Sequence, residues 1–234
     1  LKEKILNNSM LPFVIKDEDV KQSMGIEPIF STPIGIIPID KALNKKILAF
    51  MNSISLEFTR NIGGNGIGKD ENFLDNDELS DVKQILTDSV NEYFKKAVNP
   101  NKDTKLYITI SWLNVTENGE SHHIHNHPNS IVSGVFYIDT CEEDTISFLS
   151  PKTDMFGHFN FSANPNIPGN SSVWPSAVLA ATTGRLIVFP STLQHMVNPR
   201  PNTCKGTRIS ISFNTWIKGT IGTIGSGRKD TLHL

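Results

Sequence analysis

The sequence predicts a mostly β protein, a sandwich or barrel of short strands with two N-terminal helices packed on one sheet. Three observations predict it. Between Asp40 and Val98 the apolar residues recur at threes and fours, the helical period. After Pro100 the period changes to two, and no later stretch reads as a long helix. Turn residues separate the short apolar runs that follow.

In chain order, residues 1–26 are a mixed polar arm whose one apolar piece, Leu11-Pro12-Phe13-Val14-Ile15, is expected to gain order by docking. From Glu27 to Ile39 three prolines fall in an apolar run, which favours an extended edge strand. Asp40 can cap a helix with apolar positions Leu43, Ile47, Phe50, Ile54 and Phe58, ending near Gly63-Gly64. The glycines between Asn61 and Lys69 lack the GK[ST] ending of a phosphate loop, so this stretch reads as a flexible connector. A second helix runs from about Asp77 to Val98 with Leu79, Val82, Ile85, Leu86, Tyr93, Phe94 and Ala97 as its buried stripe, and Asn99-Pro100 stops it.

Strands then follow: Leu106 to Leu113, closed by Asn114 and the turn Glu117-Asn118-Gly119-Glu120; Ile131 to Ile138; Thr145 to Leu149; a short one near Val173-Trp174; Leu186 to Phe189; and Arg208 to Ile217. A polar excursion from Ser150 to Gly169 carries Phe156, His158, Phe159 and Phe161, as a lid over a site could. The expectation is one domain over residues 27–218 and a flexible tail over 219–234.

Composition removes several function classes. A formal charge of −2 with no basic run gives no support for a nucleic-acid partner. No apolar stretch approaches the ~20 residues of a membrane span, and no secretory signal pattern opens the chain. Cys141 and Cys204 are too few and too far apart for a disulfide framework or a CxxC metal site, and a reduced, cytoplasmic setting is the simplest expectation.

The chemistry concentrates in Ser121-His122-His123-Ile124-His125-Asn126-His127-Pro128, which holds four of the seven histidines and abuts an apolar strand. His123, His125 and His127 are spaced by two, so an extended backbone puts their rings on one face. Neutral imidazole is the commonest protein metal ligand, and two rings at i and i+2 can share one ion if a third ligand arrives from elsewhere. His195 is the candidate, 68 residues after His127 at the far end of a Pro-marked turn, Phe189-Pro190-Ser191. Thirteen residues further on, Arg208-Ile209-Ser210-Ile211-Ser212-Phe213-Asn214 alternates strictly. Arg208, Ser210, Ser212 and Asn214 share one face, more like the lining of a polar pocket than a solvent face. There Arg208 can grip a carboxylate through two hydrogen bonds and Ser210 can add a third.

On these residues, together with Ser133-Gly134-Val135-Phe136-Tyr137 and the opening around Phe30-Ser31-Thr32-Pro33, the chain resembles the iron(II)- and 2-oxoglutarate-dependent oxygenases, in a subfamily found in bacteria and marine phages. The resemblance covers roughly residues 27–217. It implies a double-stranded β-helix, the cupin-like jelly roll, with iron at one mouth. It also implies 2-oxoglutarate as cosubstrate, held by Arg208 and Ser210 with Asn114 and Ser133 as further polar contacts. O2 would be consumed, succinate and CO2 released, and an unidentified peptide or small molecule hydroxylated. Trp112 and Tyr137 are either pocket lining or plain core.

One departure from the wider superfamily matters. Its His-x-Asp/Glu pair is absent, and His127 stands in the carboxylate's place. The implied ligands are then His125, His127 and His195, with His123 and His125 as the competing pair. Such an all-neutral set also suits zinc and other first-row ions. Two other readings stay open: a cupin-like metal enzyme without 2-oxoglutarate, and a jelly-roll binding or structural module without catalysis. A zinc hydrolase is the weakest, since no Glu general base lies near the histidines.

Overall fold

A computed structural model describes residues 31–151, 176–222 and 232–234 of the chain. The arm, most of the expected lid and the strand expected near Val173-Trp174 lie outside the described residues.

The elements in order are β1 (Gly35–Pro38), α1 (Lys41–Ser53), β2 (Phe58–Arg60), β3 (Gly66–Gly68), α2 (Ser80–Val98), β4 (Lys105–Thr116), β5 (His122–His125), β6 (Val132–Asp139), β7 (Thr145–Leu149), β8 (Ser176–Ala180), β9 (Arg185–Pro190), β10 (His195–Val197), β11 (Arg208–Lys218), β12 (Thr220–Ile221) and β13 (Leu232–His233). Seven strands make a major sheet in the order β1-β9-β6-β11-β4-β3-β2, and four make a minor sheet in the order β5-β10-β7-β8. β1 takes the sheet edge, as its prolines require.

Two cores follow from the alternation of the central strands. One face of the major sheet carries Leu106, Ile108, Val132, Phe136, Ile138, Leu186, Val188, Ile211 and Phe213 against Ile47 and Phe50 of α1 and Val82, Leu86, Val90 and Phe94 of α2. The opposite face carries Val135, Tyr137, Ile187 and Phe189 against Ile146 and Phe148 of the minor sheet. Strands buried on both faces read as continuous apolar runs, which is why Leu186 to Phe189 shows no period of two. Asn44 of α1 donates to the carbonyls of Tyr137 and Ile138 at 3.0 and 2.7 Å, fixing the helix on β6.

Gly134 sits where β6 crosses Phe213. A Cβ there would lie 2.3 Å from the Phe213 ring, which is itself wholly buried. Gly134→Ala is therefore expected to destabilise the fold by about 3 kcal/mol, as overpacking does in a core that cannot relax. Chemical denaturation of the variant checks this, and an unchanged midpoint would refute it.

Several expectations need correction. α1 stops at Ser53, where Ile54 turns extended, and does not reach Phe58. The glycine-rich stretch is no loose connector: Phe58–Arg60 pairs with Gly66–Gly68, which pairs with β4. The tight turn between them needs Gly64 at φ +90° and Gly63 against the Ser121 carbonyl, 2.2 Å from where a Cβ would be. The two cysteines, read as too few and too far apart for a disulfide framework, are joined as a disulfide with Cα atoms 5.7 Å apart. The β6–β7 turn and the β10–β11 loop bring them together. Beside them the buried Arg200 pairs with the buried Asp144 at 3.2 Å. Finally, part of the expected tail is ordered, since β12 pairs β13.

Candidate metal centre

His125, His127 and His195 converge. Each offers a ring nitrogen, and these nitrogens lie within 4.8 Å of one another. The register places them: His195 on β10 stands directly opposite His125 on β5, and His127 follows where the strand ends, its amide donating to the Ser191 carbonyl at 2.9 Å. Ring nitrogen Nδ1 of His125 lies 2.8 Å from the His123 carbonyl, and that of His195 lies 3.0 Å from the Leu193 carbonyl. A carbonyl can only accept, so both Nδ1 atoms carry the proton and both Nε2 lone pairs are left for an ion.

Burial keeps these rings neutral. It pushes His195 down to about 3 and His127 down to about 4, with neighbouring His125 adding to both shifts, and it lowers His125 as well. Neutral rings are what a metal needs, so binding meets little proton competition near neutral pH. The same burial sets a pH dependence. In the unfolded chain these rings take up protons near 6.5; in the folded one they do so only far below. Between those values the unfolded state binds more protons, so stability rises with pH through the window and is lost as pH falls. The metal-free protein is expected to unfold at progressively lower urea as pH drops from about 7 to about 4.5, with a shallower slope in His195→Gln. A flat profile would contradict the burial of the rings.

His123 does not join the triad. Its side chain is exposed, whereas His122, which the spacing of two places on the opposite face, lines the pocket. The cause is a register shift between β5 and β10. His125 pairs with His195 but His122 pairs with Val197, three residues against two. One extra residue in β5 swings His122 round to the His125 side.

Beyond the triad the pocket runs between the sheets, with Trp112, Asn114, Tyr137, Arg208, Ser210 and Ser212 on the major-sheet side. β4, β6 and β11 bring Asn114, Tyr137 and Ser210 into one row. Asn114 uses its amide on the Ser212 hydroxyl at 2.9 Å. Ser133 is not brought to the wall. Its hydroxyl lies 2.7 Å from the Asn214 side-chain oxygen and 2.8 Å from Ser191, inside the protein. Asn65, from the β2–β3 turn, joins the lining unannounced by the sequence.

Arg208 is the anomaly. It is only 3 % exposed, and among the described residues its one side-chain hydrogen bond is to the Thr116 hydroxyl at 3.0 Å and its Nε has no acceptor. Among the described residues it has no carboxylate in salt-bridge contact. Burial lowers its pKa, opposed by the phenol of Tyr137 and by Asp144. Burial in turn raises Tyr137 to about 12, so its hydroxyl stays protonated and able to donate. A buried cation left this way calls for an anion beyond the described residues.

Comparison with known families agrees with this geometry. The model of the family described as 2OG-Fe(II) oxygenase matches residues 110–214, the span holding all three clustered histidines and Arg208. Residues 110–214 are a 2OG-Fe(II) oxygenase domain. No curated protein sequence matches the chain. Among solved structures, the oxygenase domain's fold is shared with an oxidoreductase of the 2OG-Fe(II) oxygenase family from Burkholderia pseudomallei (14 % identity, 78 % of this chain and 84 % of that one, TM-score 0.56). A prolyl-4-hydroxylase from Pseudomonas putida is similar to it as well (13 %, 80 % and 94 %, 0.53). So is HygX from Streptomyces hygroscopicus, solved with nickel, 2-oxoglutarate and hygromycin B bound (10 %, 79 % and 82 %, 0.53). At such identities the shared property is the fold, the double-stranded β-helix expected from the sequence.

Proposed function

We propose that this oxygenase binds its metal through His125, His127 and His195 and takes the far carboxylate of 2-oxoglutarate on Arg208. The observation that carries the reading is the buried Arg208 guanidinium, without a carboxylate partner among the described residues, facing a pocket whose other end is three neutral imidazoles. A dicarboxylate with a metal-binding keto-acid head fits both ends of such a pocket at once.

The residues divide the work. The triad holds the ion in a neutral ligand set. Arg208 offers its fork to the distal carboxylate, with the Ser210 hydroxyl and the Tyr137 phenol as further donors and the Asn114 side chain in the same row. Trp112, packed 5.7 Å from the His127 ring, and Phe189 against His195 shield the triad from water. When bound, Fe(II) and 2-oxoglutarate together supply the oxygen-activating chemistry that oxidises a C–H bond of the primary substrate, with succinate and CO2 released.

The primary substrate in this reading is a peptide or a small molecule. No described helix is long and apolar enough to cross a membrane. We place the protein in the cytoplasm; the Cys141–Cys204 pair is then exposed to a reducing poise.

Two measurements test the reading. Anaerobic addition of 2-oxoglutarate to Fe(II)-loaded protein is expected to raise a saturable visible charge-transfer band, and the same sample in air is expected to release succinate slowly without any primary substrate. Tight iron binding with neither signal would overturn it.

A further inference from the structure

His122 carries a feature that the triad and Arg208 leave unexplained. It is half-buried, it lines the pocket, and its ring makes no hydrogen bond to any described residue. Its ring lies flat on that of His125, centroids 4.2 Å apart and planes 16° from parallel. The stack fixes the ring plane and leaves the nitrogens at the ring edge pointing past His125. In either tautomer an imidazole carries an N–H at its edge, so this ring can donate a hydrogen bond into the pocket.

The register says where along the pocket this edge lies. β5 runs away from the β4–β5 turn, so stepping back from His125 to His122 moves toward Thr116, the residue paired with Arg208. The partner strand agrees. From His195 the chain passes Val197, opposite His122, and reaches Arg200, whose backbone bonds Gly119 and Glu120 of that same turn. His122 thus stands on the minor-sheet wall between the triad and Arg208. The major-sheet wall across from it already offers Tyr137, Ser210 and Asn114; apart from His122 itself, the minor-sheet wall adds only Ile146 and Val197 between the ends.

We propose that His122 positions the cosubstrate, its ring N–H donating to a carboxylate oxygen of the keto-acid head of 2-oxoglutarate beside the triad. The inference rests on the reading of the site given above. It assigns to the minor sheet the polar contact that fixes how the keto-acid head is turned against the triad. The extra residue in β5 is what turns His122 inward, so the bulge becomes part of the site.

The test pairs two variants with the wild type. His122→Phe keeps a ring that can stack on His125 and loses both nitrogens. His122→Gln keeps a donor and loses the ring. Each Fe(II)-loaded protein is titrated anaerobically with 2-oxoglutarate while the charge-transfer band is followed, after iron uptake has been measured by itself. Expected is undiminished iron uptake in both, a dissociation constant raised about tenfold or more in the Phe variant, and one closer to wild type in the Gln variant. No band in the wild type would remove the underlying reading. A wild-type band with a Phe variant that titrates identically would overturn the role of His122 alone. Equal weakening in both variants, or lost iron uptake in the Phe variant, would also overturn it, in favour of a ring that only braces His125.

Discussion

Arg208→Met is expected to abolish 2-oxoglutarate binding while leaving the cosubstrate-free protein as stable as before, or more so. Truncating one member of a buried charge pair weakens binding by about 2–5 kcal/mol, because the other charge stays desolvated without a partner. For the distal carboxylate that is a loss of about thirtyfold to several thousandfold in affinity. The second half of the prediction separates a binding residue from a structural one. An arginine that holds the fold together leaves its partners buried and unpaired when removed, and stability drops. Among the described residues Arg208 has no carboxylate in salt-bridge contact to strand, only the Thr116 hydroxyl, and its own Nε is without an acceptor. Replacing it with an apolar chain removes a buried cation that has no carboxylate in direct contact among the described residues. Thermal unfolding with and without 2-oxoglutarate, on the Zn(II)-loaded protein to prevent turnover, gives both readings. A fall in the unliganded melting temperature with a normal cosubstrate-induced rise would sink the assignment.

The legibility of this site followed the period of each strand. In β11 the alternation was strict, so Arg208, Ser210 and Ser212 could be put on one face and Ile211 and Phe213 on the other, and the strand's burial agrees. His195 was legible because a turn residue, Pro190, marked the end of an apolar strand before it. Where the period broke, reading failed. The extra residue in β5 exchanges His122 for His123, and no local pattern announces a bulge whose cause is pairing with β10. Asn65 reaches the pocket only because a glycine turn folds Phe58–Gly68 onto β4, a consequence of tertiary packing at Ser121. The cysteine pair is invisible for a related reason: 63 residues separate its members, and only the topology of the sheets sets the two loops side by side. Ser133 shows the converse error. Alternation correctly turns it inward, but four residues from Tyr137 it meets Asn214 and Ser191 and not the pocket.

His195→Ala is expected to lose iron, and His123→Ala is expected to keep it. Structural metal sites draw about 10–16 kcal/mol from roughly four ligands, so one ligand carries about 3 kcal/mol, a hundredfold or more in affinity. His195 has additional weight because it alone comes from β10. Without it, His125 and His127 are two neighbours on one segment, and the ion keeps no attachment to the strand that faces them. It is also the most buried ring of the triad, 5 % exposed, so its Nε2 faces the site from the dry side. His123 offers the sharpest comparison, since it is the same residue type two positions from His125 with its ring in solvent. Its carbonyl, not its ring, takes part by fixing the His125 tautomer, and alanine retains that carbonyl. Anaerobic Fe(II) titration of the two variants decides between the competing pairs. Iron retained in His195→Ala and lost in His123→Ala would move the metal to the outer edge of β5, away from Arg208, and a single 2-oxoglutarate would no longer reach both ends of the pocket.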